Sequence, residues 1–228
     1  MTDPPELGRV WRVGLASDPL GFIPAERRSY NSRFDDLLQR FATLYCALLA
    51  ETALREVLAD LRPNAAAIAR YIKLHGTQAA ADIPSAPVTA IWRQRHVLAP
   101  ARLRLDGPVL DLTDVDQRRE VELRHAEVLA EHGMAHLDMH EITTPRRVVT
   151  QTIAGDAFER LGSAAIRFAS RLDGLPCYAL FQGRASLVSD GDPLSLTDPA
   201  PEALKNAAAS WRLTLQPAAS TVAPPSPT

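Results

Sequence analysis

The sequence predicts an α+β domain, on three observations. Apolar and charged residues alternate in Val10-Trp11-Arg12-Val13, in residues 91–98 and in residues 101–105, the period of strands with one buried face. Residues 50–61 instead repeat their apolar side chains at helical spacing and are closed by Pro63. The chain carries neither a Gly-rich phosphate loop nor the dinucleotide fingerprint of a doubly wound α/β fold.

Taken in order, the first strand is followed by a loop holding Asp18, Pro19, Gly21 and Pro24. Arg27-Arg28-Ser29-Tyr30-Asn31-Ser32-Arg33-Phe34 is a basic, aromatic loop or short strand, and Ala42-Thr43-Leu44-Tyr45-Cys46-Ala47 reads as a strand. In the helix over 50–61 the apolar arc runs from Leu49 through Val57 to Leu58. Glu56 falls about 20° past Leu49 on the wheel, at the margin of the buried face. A short helix over 64–75 and a loop over 76–90 come next. Residues 91–98, 101–105 and 109–112 are expected as strands, the last turning at Thr113-Asp114. Residues 115–141 are charged and helical, broken at Gly133 and bounded by Pro145. A helix over 151–161 stops at Gly162. Strands over 164–168 and 176–181 follow, the first leading into Ser170.

Composition sets the outer bounds. The 228 residues allow one domain, 1–215, with an uncharged tail, 216–228, rich in Pro, Ala, Ser and Thr and expected to be disordered. At 46% hydrophobic residues the chain has ample material for a core, and a net charge of −2 gives no basic field for direct nucleic-acid binding. Two cysteines, Cys46 and Cys177, are too few for a disulfide framework and are expected as buried thiols. No secretory leader is visible at Met1–Glu6 and no apolar run approaches membrane-spanning length, so a cytoplasmic location is expected. His132, His136 and His140 fall at i, i+4 and i+8, but Gly133 interrupts their helix and no His-Glu pair of the zinc-hydrolase kind accompanies them, so no metal site is expected.

Four polar residues carry the functional reading: Arg33 in Ser32-Arg33-Phe34-Asp35, Tyr45 in Leu44-Tyr45-Cys46-Ala47, Glu56 in Ala53-Leu54-Arg55-Glu56-Val57-Leu58, and Ser170 in Phe168-Ala169-Ser170. Singly, each has a plainer explanation. Glu56 and Arg33 read as solvated charges, Tyr45 as a core side chain and Ser170 as turn chemistry. Their order and spacing resemble the RES domain, over about residues 8–185, with Leu110-Asp111-Leu112-Thr113-Asp114 similar to the family's middle region. Ser32 stands where the family has Gly, and Phe34-Asp35 where it has Trp-Asn; Arg27 and Arg28 lie close enough to take the place of Arg33.

The resemblance implies a split, mainly antiparallel sheet with flanking helices, as in ADP-ribosyltransferases. It implies a toxin that depletes NAD by breaking the nicotinamide–ribose bond, with NAD as substrate and no resident cofactor. A cognate antitoxin is the implied partner, and a homodimer is also allowed. Arg33, Glu56 and Ser170 are the implied catalytic residues and Tyr45 the implied stacking residue for NAD; Tyr30 and Arg28, in the same basic segment as Arg33, are expected to bind NAD beside it. The residue types suit that chemistry. A carboxylate stabilises the developing oxocarbenium charge and holds a ribose hydroxyl. A guanidinium grips pyrophosphate, an aromatic ring stacks, and a hydroxyl orients a neighbour. Water, phosphate or a protein side chain could accept the ADP-ribosyl group; a catalytically silent nucleotide- or partner-binding protein is the alternative from another class.

Overall fold

Alternation along the strands decides how the two faces of the sheet are covered. A computed structural model describes residues 8–83, 85–143 and 147–219. In chain order the elements are β1 (Val10–Leu15), β2 (Thr43–Ala47), α1 (Ala50–Leu58), α2 (Ala65–His75), α3 (Ala90–Arg95), β3 (His96–Leu105), β4 (Val109–Asp111), α4 (Val115–Arg124), α5 (Ala126–Glu131), α6 (Met139–Thr143), α7 (Arg147–Glu159), β5 (Ala165–Ala169), β6 (Pro176–Phe181), β7 (Ala185–Ser189), β8 (Leu194–Ser195) and α8 (Glu202–Ser210). The strands form one sheet in the order β4-β5-β6-β2-β1-β3-β7, with β8 also on β3. Only β4 and β5 run parallel; the other pairings are antiparallel. This is the mainly antiparallel sheet with flanking helices that the sequence led us to expect.

In β2, Tyr45 and Ala47 face one core while Leu44 and Cys46 face the other; β6 splits likewise into Cys177, Ala179 and Phe181 against Tyr178 and Leu180. The larger core takes Leu54 and Leu58 from α1, Val149 and Ile153 from α7, and Leu204 and Ala208 from α8, so these helices cover one face. On the other face Leu20 and Phe22 pack over a smaller core built on Val10, Ala101 and Leu180.

A seam divides the sheet. β2 ladders along its whole length with β6, and β1 with β3, but β1 and β2 share the single register pair Trp11↔Ala47. From that pair the two strands run on, without further pairing, toward Leu15 and Thr43. Two half-sheets thus meet at a point, and the seam lies open on one side of it. Among the described residues no helix is long and apolar enough to cross a membrane.

Several elements differ from expectation. Residues 91–95 are helical, not extended. The Thr89 side chain caps the helix by accepting from Trp92 N–H at 3.2 Å, and Trp92 stacks on His96 one turn later with ring centres 4.5 Å apart. The two strands expected at 91–98 and 101–105 are one, β3, running through Pro100, whose carbonyl accepts from Asp190 N–H. The region 115–141 is three short helices, broken at His125 as well as at Gly133; the His125 ring is buried beside Asp156. The helix expected over 151–161 begins earlier, at Arg147, and the chain leaves it with Gly162 at φ +63. Pro145 lies outside the described residues. On α1 the buried residues are Thr52, Ala53, Leu54 and Leu58, whereas Leu49 and Val57 are about half exposed, so the buried arc is rotated away from them. Gln216 to Ala219 lie against the domain: Gln216 N–H donates to Val88 O, and the buried Ala218 exchanges hydrogen bonds with Asp198. The remainder of the expected tail, 220–228, is outside the described residues.

Candidate active site

Glu56 owes its place to the pattern of α1. With Thr52, Ala53, Leu54 and Leu58 buried, the next position round the helix emerges at the edge of the core, and Glu56 faces the seam between β1 and β2. Ser170, 114 positions away in sequence, donates its hydroxyl to Glu56 Oε1 at 2.6 Å. Among the described residues the other carboxylate oxygen accepts no hydrogen bond.

Ser170 is 3% exposed and opens the hairpin turn between β5 and β6. Ser170 N–H donates to Leu175 O at 2.8 Å and Gly174 N–H to Ser170 O at 2.9 Å; Gly174 takes φ +74, where a side chain would be strained. Leu172 N–H donates to Ser170 Oγ at 3.1 Å, which fixes the oxygen and frees its one proton for a carboxylate. The same turn carries Asp173. Burial pushes its carboxyl up, but hydrogen bonds from Thr52, Leu175 N–H and Arg55 outweigh this and hold it below the usual carboxylate range.

The loop bearing Arg33 is held by the first turns of α7. Thr150 Oγ1 donates to Arg33 O at 2.7 Å, and Gln151 Nε2 to Ser32 O at 3.0 Å and Tyr30 O at 3.2 Å. Arg147 donates to Asn31 O. Ser32 N–H caps onto Asp35 at 2.7 Å. These bonds hold Tyr30 at φ +51, a left-handed conformation uncommon for an aromatic residue. The Arg33 guanidinium donates to the last carbonyls of α6, Ile142 and Thr143. Its pKa is lowered first by burial and then by the Arg171 charge, against the raising influence of Glu56 and Tyr45, with Arg147 lowering it further. It stays charged, since arginine starts from a very high value.

Tyr45 stands between the Arg33 loop and the sheet. Its hydroxyl accepts from Phe34 N–H at 2.8 Å, and its ring meets Phe168 edge-on with centres 6.3 Å apart. Burial, then the Asp35 charge, push its phenol far up, so it remains protonated. Arg28 donates to Ile23 O at 2.7 Å and Gln182 Oε1 at 3.0 Å.

These side chains surround a cavity of about 420 Å³ at the open side of the seam. Arg28, Tyr30, Arg33, Tyr45 and Glu56 line it; Ser170 reaches it through Glu56; Arg27, the sequence alternative, is exposed and is not part of the wall. Sequence reasoning missed Arg12, Arg147 and Arg171 in the same wall. Arg171 immediately follows Ser170, so its position was the available signal. Its carboxylate neighbour, the exposed Asp60, is 4.0 Å away. Three guanidiniums, Arg33, Arg147 and Arg171, line this wall, with the Arg171 and Arg147 charges both bearing on Arg33; such a concentration of positive charge favours an anion.

Both cysteines touch the cavity. Burial pushes the Cys46 thiol up to about 12 and the Cys177 thiol higher, so neither is a thiolate nucleophile at neutral pH. The three histidines separate: His132 ends α5, the His136 ring meets Glu122 at 3.3 Å, and His140 lies in α6. Among the described residues no group of three His, Cys, Asp or Glu side chains is arranged to hold a metal ion.

A family model described as "RES domain" matches residues 9–200. No curated protein matches the chain. Among solved structures, the chain is similar to one in the crystal structure of the M. tuberculosis MbcT–MbcA toxin–antitoxin complex, with a TM-score of 0.50 and 16% identity, over 83% of this chain and 86% of that one. At that identity the likeness is one of fold.

Proposed function

Because the chain belongs to the RES-domain family, we propose that it is an NAD-consuming toxin that breaks the nicotinamide–ribose bond and passes the ADP-ribosyl group to water or phosphate. The observation that carries this reading is a carboxylate fixed on one oxygen and open on the other, in a cavity whose wall includes Arg33, Arg147 and Arg171.

Loss of nicotinamide leaves positive charge on the ribose, as in glycoside hydrolysis. Glu56 stabilises that charge with its open oxygen, which also suits a ribose hydroxyl. Ser170 keeps the carboxylate from rotating, so little reorganisation is needed as charge develops. Arg33, Arg147 and Arg171 hold the pyrophosphate; fork-shaped donors suit its oxygens. Tyr45, locked by Phe34 N–H, and Tyr30 wall the cavity and offer rings against which nicotinamide or ribose stacks. NAD is the substrate in this scheme and no resident cofactor takes part. A cognate antitoxin is the proposed partner, in keeping with the toxin–antitoxin complex that contains a chain of this fold.

The test is NAD consumption by the purified chain, with and without phosphate, beside Glu56→Gln. Loss of NAD by the parent, with a fall of at least 100-fold in the folded variant, supports the reading; an electrostatic contact to a transition state is commonly worth about that much. Full activity in the variant refutes the role of Glu56. ADP-ribose attached to protein instead of released would move the acceptor to a side chain.

A further inference from the structure

Asp173 is surrounded by donors from two elements. Thr52 Oγ1 at 2.8 Å and Arg55 at 3.0 Å reach its Oδ2 from α1, and Leu175 N–H reaches Oδ1 at 3.2 Å from within the hairpin turn. Thr52 is fully buried and the Asp173 side chain is 12% exposed. The Ser170 hydroxyl, three residues earlier in the same turn, gives its hydrogen bond to Glu56. It has one proton to give. With that proton on Glu56, the place of the hydroxyl depends on how the turn is fastened to α1, and Asp173 is what fastens it.

We propose that Asp173 is a positioning residue: bonded by Thr52 and Arg55, it pins the β5–β6 turn to α1 and so holds the Ser170 hydroxyl against Glu56. The idea rests on the NAD-cleaving reading of Glu56. Thr52, Arg55 and Glu56 lie within five residues of α1, so one helix presents both the carboxylate and the two groups that hold its partner's turn in place. Arg55 is also tied to Glu51 at 3.1 Å, which steadies its fork against the turn. A merely structural Asp173 would close the hairpin through Leu175 and leave the placing of the Ser170 hydroxyl unaffected.

The full chain is compared with Asp173→Asn, Ser170→Ala and the double variant, by kcat and KM for NAD and by thermal melting. Asp173→Asn is expected to lower kcat about tenfold, the size of one lost hydrogen bond to a charged group, and to leave KM within about twofold. The double variant is expected to be no slower than Ser170→Ala alone, because both changes act through one hydroxyl. Parent-level kcat in Asp173→Asn, or a double variant whose loss is the product of the two single losses, overturns the proposal. If Asp173→Asn does not fold, Thr52→Val takes its place: a smaller fall in kcat that disappears in the Ser170→Ala background supports the proposal, and an unchanged kcat overturns it. A parent chain that consumes no NAD overturns the catalytic reading and this proposal together; an active parent with a fully active Asp173→Asn overturns this proposal alone.

Discussion

Ser170→Ala deletes one oxygen and leaves two partners short. Glu56 loses a donor at 2.6 Å and Leu172 N–H loses an acceptor at 3.1 Å. The two losses differ in size. A hydrogen bond to a charged carboxylate is worth about 1.5–3 kcal/mol, and at 1.36 kcal/mol per factor of ten this becomes a fall in kcat of about 10- to 100-fold if the bond serves to hold Glu56 for the transition state. The amide loss bears on stability: about 1 kcal/mol, or a melting temperature lower by roughly 2–4 °C at this chain length. The assay is steady-state NAD consumption with kcat and KM resolved, beside a melting curve. We expect kcat to fall far more than the folded fraction while KM moves little. A kcat within twofold of the parent in a folded variant would refute the idea that Ser170 orients Glu56. So would a rise in KM with kcat unchanged, which would mean that the hydroxyl binds substrate instead.

Arg171→Ala is expected to raise KM for NAD about tenfold with a smaller change in kcat, and the difference should shrink with added salt; a fall in kcat at constant KM would remove Arg171 from anion binding. Acid should destabilise the fold through Asp36, Asp111 and Asp173. Burial opposes ionisation of all three, yet hydrogen bonds from Arg40, from Thr113 and Arg167, and from Thr52 and Arg55 respectively hold them below the usual carboxylate range. The unfolded chain therefore takes up protons first, so the contribution is complete above about pH 4 and is lost as pH falls through the folded values. Urea midpoints measured downward from pH 5 should decline, and constant midpoints would contradict the assignment. Arg93→Ala should cost about 2–4 kcal/mol, because the buried guanidinium donates to Leu196 O, Gln216 O and Asp198, and Asp198 regains only part of that from water; a melting temperature unchanged within 1–2 °C would show that water replaces it fully.

The helical spacing after Leu49 and the β-branched and aromatic run before Ala47 were legible in the sequence because each obeys one period over its whole length. That placed Tyr45 on a strand and Glu56 at a helix margin. The wheel misjudged the margin: it gave Leu49 and Val57 to the core, while Thr52 lies inside because its hydroxyl has Asp173 to bond. Residues 91–95 alternate as a strand would, and only the Thr89 cap and the inward reach of Arg93 distinguish the helix. β7, β8 and α8 went unseen: β8 is two residues long, β7 is half exposed, and α8 is made mostly of small residues. Arg171 could have been read from its place beside Ser170, but Arg147 entered the site through contacts between distant segments, which no local pattern records.

The single pair joining the half-sheets has a mechanical consequence. Each half is held by its own ladders, while one register pair and the short turn from β6 to β7 join them, so a small rotation about Trp11 and Ala47 meets little resistance from the hydrogen bonds of the sheet. Such a rotation breaks no strand pairing. It alters the gap most at the far end of the seam, between Leu15 and Thr43, where the cavity wall includes Val13, Thr43 and Tyr45. The width of the cleft is thus set by what spans it, and a dinucleotide gripped from both sides would act as the missing rung.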